Sequence, residues 1–508
     1  MAKSNVNRDE SKSNTQKIAR IAAIVVVVAF LGALLVNSNF VRRRATAVVV
    51  GDVKFSAAEA SYFYREAISE YTNMAYSYLG ESASAILPEQ GKSLSNQTHP
   101  STGTTWEYFF SDNAYNSMLE VGALYSEAMA SGFTIDAAKQ AEFDGEIEMM
   151  NSQVVLYGYK SLDDYIKQMY NNTINEADFI RLANMRFVVG EYTQYINDSF
   201  DYSAAELDEF YKANSAGFDV YTYRYFIVKA APSGDGEVLT AEDVTAAEKQ
   251  ANGYITAIGN EVAFIEAARE YDETMYAADD ATLRNYSGDN LAERYGEWVR
   301  EPQRKPGDIT SMPVMDDDLN DSFYVLYYVG RSDNDYATRS YREMVFSAEP
   351  ISATAYTDAE TGEFDADAYD AALAEAEATY DRTAQKHVDD VKAAGGAELA
   401  ELKLIELTEN EFNLATGSLY ENVDRNSAVI AAEIRAWLYE PSRRAGDVTA
   451  IKDADDSYHI VLYKGEGDNY RDVLADTRLR SADFAAWQDS YRDVTGKITF
   501  LYRLRLTA

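Results

Sequence analysis

The sequence predicts an α+β multidomain chain: an N-terminal transmembrane helix, an all-helical domain, two small α+β modules, and a C-terminal helix packing back on the helical domain. Three observations predict it. Residues 21–36 are apolar and carry no charge. The hydrophobic period changes at Val220 from helical to strand-like. And thirteen residues are nearly written twice: WVREPQRKPGDIT at 298–310 and WLYEPSRRAGDVT at 437–449, agreeing at seven positions. An internal repeat of this kind fixes the architecture before any single residue is interpreted.

Composition sets the limits. A chain of 508 residues is too long for one core and implies roughly three or four domains. With 46% hydrophobic and 26% charged residues it can bury real cores. The formal charge of -38, from 46 basic and 84 acidic residues, repels a nucleic-acid backbone, so DNA and RNA are excluded as partners. There is no cysteine, which removes disulfides, thiolate metal sites and cysteine nucleophiles. Only His99, His387 and His459 are present, too few for a histidine-rich metal site. Asp316-Asp317-Asp318 lacks the alternating spacing of a calcium loop and reads as a solvated turn. No cofactor and no metal is expected, and oligomeric state stays open.

Taken in order, residues 1–17 read as a cytoplasmic tail and 18–40 as the membrane anchor, 23 residues with Arg20 close enough to one end to snorkel. Lys3, Arg8, Lys12, Lys17 and Arg20 precede the apolar stretch and Arg42, Arg43 and Arg44 follow it, which favours a cytoplasmic N-terminus. Ala45-Thr46-Ala47 looks like a signal-peptidase site but lies beyond the arginine run, so an uncleaved, single-pass anchor is the reading. Beyond residue 44 there remain 38 basic and 82 acidic residues, a net -44 outside the cell membrane.

Residues 47–215 form the helical domain. AVVVGDVKFSAAE reads as a short strand, a Gly51-Asp52 turn and a helix start, with Ser56 and Glu59 as a capping box. Phe63, Ile68, Tyr71 and Ala75 then recur at helical spacing, Lys92 to Thr105 reads as an exposed loop, and Ser203 with Glu206 caps the helix Ala204 to Lys212.

Module 1 spans 216–335. VYTYRYFIVK is a strand by composition; helices at 241–258 and 262–271, the Trp298 helix, and strands near Ile309 and at SFYVLYYV follow. Module 2, 336–468, repeats the order with YREMVF, a long helix from Asp367 to Ala393, the Trp437 helix, Val448 and SYHIVLYK. The thirteen-residue repeat is the closing quarter of each module: a helix ending near Glu-Pro, a Gly-Asp turn, and entry into a strand, with Trp298 and Trp437 anchoring the helix and Asp308 and Asp447 capping equivalent turns. In 469–508, the helix around Phe484 and Trp487 cannot bury those rings alone and is expected to pack on the first helical domain.

This layout resembles the extracytoplasmic foldases of the SurA and PrsA type, in which a SurA-N-like helical chaperone domain, parvulin-like prolyl isomerase modules and a returning C-terminal helix follow one another. VVVGDVKFSAAE, SAAELDEFYKAN, EVAFIEAAREYD, and GDVT followed by SYHIVLYK carry the resemblance. It implies catalytic histidines on the first and last strand of each module around an apolar proline pocket. At those positions this chain has Tyr225 and Tyr324 in module 1 and Glu343 and His459 in module 2, so only one of four is histidine. The modules therefore read as catalytically degenerate.

The functional expectation is a membrane-anchored extracytoplasmic chaperone that holds unfolded or partly folded secreted polypeptides. Two alternatives stand beside it: an active peptidyl-prolyl cis-trans isomerase, and a structural or adhesive surface protein. The 39 tyrosines fit either a client-binding surface or ordinary cores.

Overall fold

The computed structural model describes Val26 and residues 39–233, 238–314, 321–347, 351–358, 361–410, 415–453, 456–491 and 494–499. The expected membrane span, 18–40, lies almost wholly outside these, as does Asp316-Asp317-Asp318. Among the described residues no helix is long and apolar enough to cross a membrane. The chain divides into two compact units, Met1–Asp201 with Arg480–Ala508, and Tyr202–Leu479.

The first unit opens with α1 (Asn39–Arg44), β1 (Thr46–Val50) and β2 (Val53–Ser56). α2 (Ala57–Leu79) starts at the Ser56/Glu59 capping box, where each side chain satisfies the other residue's backbone N–H. α3 (Trp106–Ala130) packs against it, burying Phe110, Ala114 and Met118 beneath Phe63. α4 (Ala137–Leu156), α5 (Leu162–Met169) and α6 (Glu176–Ser199) complete the helices of this part. The core joins strand residues Val48, Val50 and Phe55 to helix residues Phe63, Trp106 and Leu182.

The second unit begins with α7 (Ala204–Phe218), capped by Ser203 with Glu206 and extending beyond Lys212, where the sequence pattern ends it. Module 1 follows: β3 (Val220–Lys229), α8 (Ala241–Ala257), α9 (Glu261–Tyr271), β4 (Leu283–Ser287), α10 (Glu293–Arg300), β5 (Ile309–Pro313) and β6 (Ser322–Ser332). Module 2 repeats it: β7 (Ala337–Ser347), α11 (Ala366–Ala393), α12 (Ala397–Asn410), β8 (Ala415–Val423), α13 (Ala432–Leu438), β9 (Val448–Lys452) and β10 (Ser457–Asn469). The strand orders are β4-β3-β6-β5 and β8-β7-β10-β9, antiparallel throughout, one order shifted by four strands.

Strand alternation gives each sheet two buried faces. In module 1, Phe226, Val228 and Val325 pack beneath the α8 and α9 residues Ala251 and Phe264, while Tyr221, Tyr223 and Tyr328 face Tyr295 and Val299 of α10. In module 2, Met344, Ile460 and Leu462 meet Val388 of α11 and Leu404 of α12, while Tyr341, Val461 and Tyr463 meet Ile434 and Leu438 of α13.

The tryptophan, arginine, glutamate, glycine and aspartate of the repeated thirteen residues make matching contacts in the two copies. The Arg304 guanidinium lies 4.1 Å from the Trp298 ring centre and that of Arg443 lies 3.9 Å from Trp437. Their Nε groups donate to the carbonyls of the same tryptophans at 3.0 and 3.1 Å, and each arginine also pairs with the glutamate three residues before it, Glu301 or Glu440. Gly307 and Gly446 take φ of 96° and 92°, a backbone form that side chains with a Cβ rarely adopt. Asp308 and Asp447 accept from the backbone N–H of Lys305 and Arg444, both at 2.9 Å, which makes them turn caps.

α14 (Tyr470–Asp489) begins in the second unit and ends in the first. There Trp487 packs with Ala128, Val188 and Tyr192, and β11 (Lys497–Ile498) pairs with β1 to give a sheet of order β11-β1-β2. This corrects the all-helical expectation for the first domain. A two-stranded hairpin is marginal by itself, and the distant C-terminal strand supplies the third member.

Candidate functional site

The registers show that the four singled-out strand residues are two equivalent pairs. Gly307 donates its N–H to the Tyr328 carbonyl at 2.9 Å and Gly446 to that of Tyr463 at 2.8 Å, which aligns β6 with β10. Tyr324 then corresponds to His459. Tyr225 stands across from Leu326 and Glu343 across from Val461, so these two correspond as well. In each module both residues lie on the face covered by the short helix, α10 or α13.

In module 1 the pair is aromatic. The Tyr225 and Tyr324 rings meet edge to face with centres 5.2 Å apart, and Tyr295 of α10 sits 5.4 Å from Tyr324 and 6.0 Å from Tyr225. The Arg284 guanidinium lies 4.5 Å from the Tyr225 ring centre, and Arg294 Nη1 donates to the Tyr324 hydroxyl at 3.4 Å. Beneath them Tyr223 donates to the Tyr295 hydroxyl at 3.1 Å. Burial pushes the phenols of Tyr223 and Tyr295 above the usual range, so both stay neutral. Among the described residues this is a packed aromatic cluster with cations at its margin.

In module 2 the pair is ionic. His459 Nδ1 lies 2.6 Å from Glu343 Oε1, and His459 Nε2 lies 3.0 Å from Asp453 Oδ2. An imidazole between two carboxylates satisfies both only by donating from both nitrogens, which is the imidazolium form. The Glu343 hydrogen bond accordingly raises the His459 pKa, burial opposes it, and Asp453 adds to the rise. Glu343 itself is only 4% exposed. Both ring nitrogens of His459 are thus engaged, and the arrangement is that of a clamped cation.

Asp453 was not among the sequence candidates, and its counterpart explains why. The Asp453 N–H donates to the Ser457 carbonyl at 2.9 Å where, in module 1, the Val314 N–H donates to that of Ser322 at 2.8 Å. The same hairpin corner carries a carboxylate in one module and a buried valine in the other. Only the turn geometry brings Asp453 beside a histidine six residues on, a proximity with no periodic signature in sequence.

The other two histidines are elsewhere. His99, 4% exposed in the first unit, accepts from the backbone N–H groups of Ser101 and Thr102 at Nδ1, both at 3.2 Å, and stacks on Phe109. His387 lies buried on α11, on the opposite face of the module 2 sheet from His459. Most tyrosines around the module sheets are core residues, whereas Tyr76, Tyr78, Tyr108, Tyr157 and Tyr195 of the first unit are exposed.

A second candidate lies in the first unit, where a groove of about 490 Å³ runs between α3, α6 and the returning end of the chain. Leu119, Leu124, Val189, Trp487 and Tyr491 give it apolar patches, Asn116, Thr193 and Gln488 are polar, and Glu120 and Asp489 add carboxylates. The same unit exposes apolar side chains on two helices: Met74 and Tyr78 on α2, and Met149 and Leu156 on α4, with Leu156 85% and Tyr78 83% exposed. α4 buries only Phe143 and Val154 of its 20 residues. The groove was not located in the sequence, since its walls come from segments far apart in the chain.

Neither a family model nor a curated protein matches the chain. A solved structure from a study of the virulence factor PEB4 and the periplasmic protein Cj1289, two structurally related SurA-like chaperones of Campylobacter jejuni, is similar at 14% identity. The match covers 57% of this chain and 82% of that one with a TM-score of 0.14, at which the likeness carries no weight.

Proposed function

We propose that this chain is a membrane-anchored extracytoplasmic chaperone that holds unfolded secreted polypeptides on its first unit. The two modules then serve as binding or spacer domains. The observation that carries this reading is the apolar groove among α3, α6 and the chain's return, in a unit that also leaves Met74, Tyr78, Met149 and Leu156 exposed. A concavity with apolar walls, in a unit that also exposes large apolar side chains, is a mark of an interaction surface. Holding needs no bond chemistry: apolar segments of a client lose contact with water on binding and regain it on release.

The module pairs support the same reading. Rotation about a prolyl amide must cross a barrier of about 18–20 kcal/mol, which calls for a site that desolvates and twists the amide. The side chains at the four strand positions are instead turned on each other: rings on rings in module 1, an imidazolium between carboxylates in module 2.

The test is light scattering of several unrelated denatured proteins diluted into buffer with and without the full chain in nanodiscs. Suppression of aggregation across unrelated clients is expected. Tight binding of one folded surface protein, with no suppression, would favour the adhesive alternative.

A further inference from the structure

Residues 333–336, between β6 and β7, join module 1 to module 2, and each of them bonds to α7 or to the chain entering α14. From the α7 side, Asn334 Nδ2 donates to the Phe218 carbonyl at 2.9 Å and to the Tyr211 hydroxyl at 3.2 Å. That hydroxyl lies 2.6 Å from Asp219 Oδ1 and 2.7 Å from the Asp333 carbonyl, and Asp219 pairs with Arg331 near the end of β6. From the α14 side, Arg471 Nε donates to the Asp333 carbonyl at 2.7 Å, and its guanidinium pairs with the Asp333 carboxylate. Asn469 Nδ2 donates to Asp335 Oδ1 at 2.8 Å, and the Tyr470 N–H to the Tyr336 carbonyl at 2.9 Å. The two sides meet where the Arg471 guanidinium lies 5.3 Å from the Tyr211 ring centre. The pairing is written in the repeat: Asp333-Asn334 follow Tyr324 at the same spacing as Asp468-Asn469 follow His459, so the exit of the second module folds back on the exit of the first.

We infer that residues 333–336 are a lock rather than a hinge: α7 and the start of α14 clamp them, and modules 1 and 2 move as one rigid body. This goes beyond the holding function and does not depend on it. Relative motion is the ordinary expectation for modules joined by a short linker. Direct bonds between the modules, such as Arg425 Nη2 to the Ser332 hydroxyl at 2.7 Å and Asn285 Nδ2 to Asn426 Oδ1 at 3.3 Å, are exposed and would not suppress it. The linker itself does. A hinge needs residues free to change φ and ψ, whereas Asn334 is 0% exposed, sits at a left-handed φ of 60°, and buries an Oδ1 that has no hydrogen-bond partner among the described residues. A residue in that state persists only where its surroundings over-determine it. A fixed joint presents the surfaces of both modules at one spacing, a preorganisation that a swinging pair lacks.

The chain has no cysteine, so Glu248→Cys on α8 and Glu398→Cys on α12, both exposed, place one spin label on each module without background. Double electron–electron resonance on the full chain in nanodiscs should give a single narrow distance distribution. Asn334→Gly keeps the left-handed backbone accessible and removes both amide bonds; Arg471→Gln opens the other side of the clamp from a half-exposed position. Each should broaden the distribution toward the order of 10 Å that a freed linker of this length samples. Lys212→Ala, which removes only an exposed ion pair on α7, should leave it narrow. A broad distribution in the labelled parent would overturn the lock, as would an unchanged narrow one in both joint variants. If Asn334→Gly does not fold, Arg471→Gln decides alone.

Discussion

The imidazole of His459 is held between Glu343 at 2.6 Å and Asp453 at 3.0 Å, while the corresponding residue of the other module, Tyr324, packs its ring against Tyr225. One duplicated scaffold thus carries an ionic cluster in one copy and an aromatic cluster in the other.

A pH dependence follows for module 2. The Glu343 hydrogen bond raises the folded-state pKa of His459 above its unfolded value of about 6.5. A raised histidine pKa contributes stability that is fully present below the unfolded value and is lost as pH rises through the folded value. Chemical denaturation of the full chain should show a module 2 transition at higher denaturant near pH 5.5 than near pH 8. Glu343→Gln should flatten that difference; an unchanged slope would show that another group sets it.

His459→Ala should be a stability variant. It leaves Glu343, only 4% exposed, without its imidazolium partner, at a cost of roughly 1–3 kcal/mol. Turnover of a proline peptide should stay at background before and after the substitution. A large fall in isomerisation rate would make module 2 an active isomerase.

The repeated motif gives a matched pair of variants. Arg304→Ala and Arg443→Ala each remove a guanidinium from a tryptophan face and a bond to that tryptophan's carbonyl, in the same geometry. Each should cost about 1–2 kcal/mol, with the two values alike. Lysine at either position should recover only part of this, since an ammonium cannot stack its plane on the ring. Unequal losses, read from separate unfolding transitions, would show that the copies have diverged in use.

Much of the fold was legible because the central strands are rich in tyrosine and β-branched residues. β3, β6, β7 and β10 stand out as VYTYRYFIVK, SFYVLYYV, YREMVF and SYHIVLYK, and strict alternation put Tyr225, Tyr324, Glu343 and His459 on one face. Of the four edge strands of the modules, β5 and β9 were legible and the other two were not. β4 reads LRNYS and β8 reads ATGSLYENV, polar sequences suited to a solvated sheet edge, and they give no strand signal. α12 was passed over because its leucines fall on two faces, Leu404 and Leu407 buried and Leu399 and Leu402 exposed, which blurs the stripe. Contacts set by chain return, β11 on β1 and Asp453 beside His459, have no local pattern to read.

The returning end of the chain should stabilise the first unit. Tyr115 donates its hydroxyl to the Gly496 carbonyl at 2.9 Å, Thr499 donates its N–H to the Ala47 carbonyl at 2.8 Å, and Trp487 fills the space beside Tyr192. Trp487→Ala should cost about 2–3 kcal/mol, less than a fully buried tryptophan because the ring is half-exposed, and should reduce client holding as well. Thermal unfolding followed by near-ultraviolet circular dichroism measures the first effect; an unchanged midpoint would detach the tail from the unit's stability.

The central claim is that the first unit holds unfolded polypeptides chiefly by apolar burial, and salt tests it most directly. Aggregation of a denatured client is followed by light scattering with the full chain in nanodiscs, in about 0.1 M and about 1 M salt, where the screening length falls from roughly 10 Å to 3 Å. Burial of apolar surface persists under those conditions and surface attraction does not. Protection should survive at 1 M salt and fall with Trp487→Ala; protection that disappears at 1 M salt, or no protection of any client at either concentration, would contradict the account.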